Sequence, residues 1–152
     1  MEAIRTFTDE QFLSALESWT WLDLAGKAPL CASPFGDVFL EDSAGVWWLD
    51  TLEGTLTRPW PSRDEFAAAV SDEAGQDRYL LVGLALAAED RGLEPDPDEV
   101  YGFRVPPKLG GGFDPDNVEV IGFVLGVNIT GQIHQQLKDL APGTKITGFT
   151  ID

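Results

Sequence analysis

Between residues 38 and 57 short apolar runs alternate with turn chemistry, and this pattern limits the possible folds more than any other part of the chain. Val38-Phe39-Leu40 precedes Asp42-Ser43-Ala44-Gly45, Val46-Trp47-Trp48-Leu49 resumes, and Asp50 to Gly54 turns again toward Thr55-Leu56-Thr57. Aromatic and β-branched residues suit a pleated surface, and Asp, Ser and Gly suit tight turns. The spacing predicts a three-strand antiparallel meander, ended by Pro59 and Pro61 because neither can donate to a ladder. In a regular strand, Trp47 and Trp48 face opposite sides of the sheet.

Helical signals surround the meander. Thr8 and Gln11 have capping-box spacing, and Phe12, Leu13, Leu16 and Trp19 recur at helical intervals, which predicts a helix over 9–18. Residues 25–36 carry Gly26, Pro29, Pro34 and Gly36 and read as a loop. Ser62 as N-cap with Asp64 and Glu65 in the first turn predicts a helix over 63–71. Leu80, Leu81, Leu84 and Ala88 predict a third helix over 76–91, stopped by Gly92. Prolines and charge keep 94–99 a solvated loop, and Tyr101-Gly102-Phe103 leads through Pro106-Pro107 into Gly110-Gly111-Gly112 as a long irregular connection. A strand over 118–121, a helix over 125–138 and a terminal strand over 145–151 complete the reading. The expected fold is α+β, one domain over 1–152, with a meander and further strands packed against three to four helices.

Charge narrows the partners. The 152 residues include 26 acidic and 10 basic side chains, a net charge of -16, and since 120–152 are balanced the whole excess lies in 1–119. Binding nucleic acid or anionic lipid depends on Lys and Arg displacing counterions, so neither is expected as a direct partner. Cys31 is the single cysteine, which rules out an internal disulfide. No apolar run follows the charges of Met1 to Arg5, so a cytoplasmic protein is the expectation.

Catalytic motifs are sparse. His134 is the one histidine and reads as a surface residue of the last helix, with no second imidazole for a multi-histidine metal site. Gly110-Gly111-Gly112 lacks the Gly-Lys-Ser/Thr of a phosphate loop and reads as a tight turn. Asp96-Pro97-Asp98 and Asp114-Pro115-Asp116 lack the glycine and the glutamate of a calcium loop. No serine sits in a Gly-x-Ser-x-Gly elbow, and no acidic residue stands two before any of the four lysines. Neither an enzyme nor a cofactor is therefore expected.

Glu99-Val100-Tyr101-Gly102-Phe103, then Pro106-Pro107, Leu109-Gly110-Gly111 and Asn117-Val118-Glu119-Val120, resemble the C-terminal domain of a family of type VI secretion immunity proteins. The better-known members of that family neutralise a DNase effector and often carry an N-terminal GAD-like segment. Upstream, Phe35 to Leu40 and Gly45 to Asp50 are similar to the strands preceding that motif, so the resemblance spans about 35–140. Gly112 extends the usual double glycine. The resemblance implies a protein that binds a toxin, possessing a basic surface if it attacks nucleic acid, and blocks its active site or substrate access. An acidic partner is steered to such a groove. Acidic residues of 37–53 and 89–99 are the expected contacts, namely Glu41, Asp42, Asp50, Glu53, Glu94, Asp96, Asp98 and Glu99, with Trp60 as an aromatic anchor. The alternatives are a non-catalytic small-molecule or peptide-binding regulatory module with an aromatic pocket near Trp47 and Trp60, and an enzyme working through carboxylates alone.

Overall fold

A computed structural model describes residues 2–152. Helix α1 spans Asp9–Leu16 and runs into a tight turn over Glu17–Trp19. Its capping box is complete: the Gln11 amide donates to Thr8 Oγ1, and the Thr8 amide donates to Gln11 Oε1. Strands β1 (Ala28–Ala32), β2 (Val38–Asp42), β3 (Gly45–Asp50) and β4 (Thr55–Trp60) form an antiparallel sheet in chain order. Helices α2 (Arg63–Ala69), α3 (Glu73–Gly75) and α4 (Val82–Asp90) follow. Strands β5 (Glu99–Phe103) and β6 (Val118–Gly122) pair as a second, two-stranded sheet, and α5 (Phe123–Leu137) closes the fold. The architecture is α+β, as the sequence predicts.

Five local readings need correction. The loop expected over 25–36 contains β1, which pairs with β2 through an irregularity between Pro29 and Cys31; a proline is tolerated there because β1 is an edge strand. The meander therefore has four strands. Pro59 lies within β4 for the same reason, β4 being the other edge, and the register of β3 shifts opposite it between Val46 and Trp48. Glu99 opens a strand that the proline-rich run before it conceals. The helix expected over 76–91 is interrupted: a wide turn over Gln76–Leu80 ends at Leu81, which has left-handed backbone with φ of 53°, and α4 starts afresh. Asp77 Oδ1 accepts the Gly83 amide and caps that new start. The strand expected over 145–151 does not form; the end of that segment hydrogen-bonds to Gln132 and Gln136 of α5 instead.

The main sheet is covered on both faces. Val38, Leu40 and Leu49 face Phe12, Trp19, Phe123 and Val127 of the α1–α5 layer, while Cys31, Phe39, Val46 and Trp60 face Phe66, Leu80 and Val82. Trp47 joins the first cluster and Trp48 the second, the opposite-face placement expected of neighbours in a strand. A third cluster, Phe35, Ala85, Ala88, Tyr101 and Val118, joins α4 to the β5–β6 pair.

Candidate partner-binding site

Arg5 organises the acidic loop that follows α4. Its main chain is fixed by a pair of hydrogen bonds with Ala32, each 2.8 Å. From that position its guanidinium donates to the carbonyls of Asp96 (2.9 Å), Pro97 (3.3 Å) and Glu99 (2.8 Å). Glu99 Oε1 accepts the Asp96 amide, and Gln11 Nε2 donates to Asp98 Oδ1. Arg5 thus spends its charge on carbonyls, and the exposed carboxylates of Glu94 and Asp96 make no hydrogen bond or ion pair among the described residues. Beside the loop lies a concave surface of about 580 Å³ lined by Glu2, Arg5, Glu89, Glu94, Pro97 and Tyr101. The Tyr101 hydroxyl is raised above its usual range by burial and by Glu89 and Glu94, a sign of the negative field there.

The remaining expected contacts sit at opposite ends of β3 and are otherwise engaged. Near the β2–β3 turn, Glu41 takes both arms of Arg63 (2.5 and 3.1 Å), which holds its carboxyl below the usual range, and Asp42 Oδ1 accepts the Ala44 amide. At the β3–β4 turn, Asp50 Oδ1 accepts the amides of Leu52 and Glu53, while Glu53 pairs with Lys108 at 3.2 Å. Trp60 is packed among Phe39, Phe66 and Tyr79 and is 5% exposed. The structure ties Asp96, Asp98 and Glu99 into one anchored loop and sets Glu94 beside Glu2 and Glu89 on the adjoining concave surface. Nothing near Arg5 in the sequence marks it as the anchor of a loop some ninety residues away.

Two polar residues depart from the sequence reading. Asp37 does not join an acidic surface; it is 6% exposed and accepts from Trp48 Nε1 (2.9 Å), the Thr51 amide (2.9 Å) and the Thr51 hydroxyl (2.5 Å). Burial, reinforced by Asp50, pushes its carboxyl up to about 7. His134 is buried rather than on the surface, because α5 packs over the β3–β4 turn. Its Nε2 lies 2.8 Å from the Thr51 carbonyl, which can only accept, so Nε2 carries the proton. Burial lowers the tendency of the ring to take a second one. Thr51 thereby joins Asp37, just before β2, to the turn and α5. Gly54 has φ of 73°, and a Cβ there would lie 2.5 Å from His134 Nδ1. Gly54→Ala is expected to cost about 2 kcal/mol or more, from left-handed backbone and overpacking together, read as a lower urea midpoint with an unchanged slope.

Among the described residues no three His, Cys, Asp or Glu side chains gather as a metal site would require. Among the described residues no helix is long and apolar enough to cross a membrane. A second hollow of about 260 Å³ lies between α5 and the β5–β6 pair, lined by Phe35, Phe103, Ile121 and Ile133 with Arg104 and Glu119.

The segment from Pro61 onward carries α2 to α5, the β5–β6 pair and most of the acidic surface. Residues 61–134 match the family model of the T6SS immunity protein Tdi1, C-terminal. The motifs from Glu99 to Val120 that suggest this family lie wholly inside the match, which covers just under half of the chain; the strands over 35–60 lie outside it. Glu89, Glu94, Asp96 and Asp98 are within the matched segment, whereas Arg5, which holds the carbonyls of Asp96, Pro97 and Glu99, is not. The fold is similar to the crystal structure of Atu4351 from Agrobacterium tumefaciens, with a TM-score of 0.53 and 16% identity over 86% of this chain and 66% of that one. This chain thus spans slightly under two thirds of that protein, and at such identity the likeness is one of fold. No curated protein matches the chain.

Proposed function

We propose that the chain acts in the cytoplasm as an antidote, binding a cognate bacterial toxin, with a nuclease as the expected class, and occluding its active site or substrate access. It works by stoichiometric binding, without turnover or cofactor. The observation that carries this reading is the anchored acidic surface of Glu94, Asp96 and Asp98 inside the immunity-protein segment. A nuclease presents a basic groove to its substrate, and a rigid row of carboxylates competes for the same charges while steering the encounter. Because the loop is already tied down by Arg5, Gln11 and Glu99, little ordering entropy is lost on binding.

Co-expression with the product of a toxin gene, should one adjoin the chain's own, tests the proposal: growth is rescued and a complex is recovered, and failure of both removes it. Glu94→Lys with Asp96→Lys is expected to slow association about tenfold at low salt, since rim charges act mainly on the on-rate. The unfolding midpoint should stay within about 0.5 kcal/mol of wild type, as expected for exposed side chains without partners. An association rate indifferent to salt and to these changes would remove the electrostatic part.

The regulatory-module reading finds its observation in the hollow beside Phe103, away from Trp47 and Trp60. At about 260 Å³ it falls below the ~300–1,000 Å³ typical of small-molecule sites.

A further inference from the structure

The β-prone run Ile146-Thr147-Gly148-Phe149-Thr150-Ile151 has no strand to pair with, yet its end is not without partners. Gln136 Nε2 donates to the Thr150 carbonyl (2.7 Å), and Gln136 Oε1 accepts the Thr150 amide (3.1 Å). Gln132 does the same for Asp152, donating to its main-chain oxygen (3.2 Å) and accepting its amide (2.7 Å). Each glutamine thus offers one residue of the tail the donor and acceptor that a neighbouring strand would offer.

The glutamine amides are themselves oriented by α5. The second hydrogen of Gln132 Nε2 goes to Asn128 Oδ1 (2.7 Å), that of Gln136 Nε2 to the Gln132 carbonyl (3.2 Å), and Asn128 Nδ2 reaches the Ser14 carbonyl of α1. The spacing also matches. Four residues of helix rise about 6.0 Å, and two residues of extended chain rise about 6.7 Å, so an i,i+4 pair on α5 meets residues i and i+2 of a strand. The alternate residues Phe149 and Ile151 make no main-chain hydrogen bond among the described residues. Beside the tail the surface stays concave, about 570 Å³ lined by Glu17, Ser18, Asn128 and Gln135 among others.

We infer that Gln132 and Gln136 form a main-chain clamp on α5, a docking site for an extended peptide segment that is filled here by residues 150–152 of the same chain. The contacts are to main-chain N–H groups and oxygens alone, so the clamp reads backbone and tolerates any side chain, but not proline at the two registered positions. Four exposed hydrogen bonds hold a free peptide weakly. A tethered one is held at millimolar effective concentration, which is enough to fill such a site. This inference does not rest on the immunity reading.

Amide exchange in the isotopically labelled full chain gives the first test. Thr150 and Asp152 are expected to exchange about tenfold more slowly than Phe149 and Ile151, the factor that a net hydrogen bond supplies, and Gln132→Ala with Gln136→Ala should level the four. Equal exchange in the wild type overturns the clamp. Thr150→Pro, at an exposed tail residue, removes one bonded N–H and vacates the site. The synthetic peptide Lys-Ile-Thr-Gly-Phe-Thr-Ile-Asp at millimolar concentration should then shift the side-chain amide resonances of Gln132 and Gln136, and a shuffled peptide should shift them equally. Unmoved resonances overturn the docking site, and a response to the native order alone overturns backbone reading.

Discussion

Trp19→Ala should cost about 3–5 kcal/mol, the range for truncating a large buried aromatic, and so remove much of the ~5–15 kcal/mol that stabilises a domain of this kind. Trp19 is fully buried where the turn after α1 meets α5, with its indole Nε1 donating to the Val127 carbonyl at 2.9 Å. Its ring centroid lies 5.7 Å from those of both Trp21 and His134. Gly131 makes room for it: a Cβ there would come within 2.8 Å of the indole nitrogen and would collide with the Ser18 hydroxyl. Alanine at 19 leaves a cavity that the helices cannot close without losing their register. Trp19→Phe keeps most of the volume and loses the hydrogen bond, so its cost should be nearer 1–3 kcal/mol, about that of an unpaired or missing buried bond plus a smaller void. Urea unfolding followed by circular dichroism measures both; a loss under about 1 kcal/mol for the alanine variant would mean that the α1–α5 junction is not what holds the first core cluster together.

Stability should fall as pH rises from about 4 to about 7, with Asp37 as the main single cause. Burial first, then the neighbouring Asp50, lift its carboxyl from 3.8 to about 7, against the pull of the Thr51 and Trp48 hydrogen bonds. Between those values the folded protein binds a proton that the unfolded chain has released, so raising pH favours unfolding. At about 1.36 kcal/mol per unit, the full window amounts to roughly 4 kcal/mol. Asp50, raised in the same direction by burial, adds to the trend. His134 opposes it: its lowered pKa means that the unfolded chain takes the proton first, so acidification through its window destabilises the fold. The net charge of -16 also weakens the fold toward alkaline pH through self-repulsion, and a variant is needed to separate it. Asp37→Asn should be less stable at pH 5, because its amide cannot accept from Trp48 Nε1, yet should flatten the slope between pH 5 and 8. A wild-type midpoint that is level or rising across that range, or an identical slope in the variant, contradicts this account of Asp37.

Much of the local structure was legible because its causes are local. The Thr8–Gln11 box, the Ser62 cap, the Asp42–Gly45 turn and the opposed Trp47 and Trp48 each depend on residues within four positions of one another. The family motif from Glu99 to Val120 was legible as a resemblance, and its segment matches the immunity-protein model. The acidic loop over 94–99 was legible as charge, but not its rigidity, which comes from Arg5 and Gln11 at the other end of the chain. Leu81, the break in the third helical signal, was hidden because leucine carries no mark of left-handed backbone; the Asp77 cap on Gly83 shows itself only once the chain has turned.

The sequence by itself determined the class of the fold, the meander at its centre and the excess of negative charge, since periodicity, turn chemistry and ionisation are properties of neighbouring residues. Tertiary structure alone decided that β1 and β5 are strands, that Asp37 and His134 are interior, and that Gln132 and Gln136 serve in place of a missing strand. Each of these depends on what a distant segment brings into contact. A backbone group finds its partner, and a charged group its solvent, only after the chain has closed on itself.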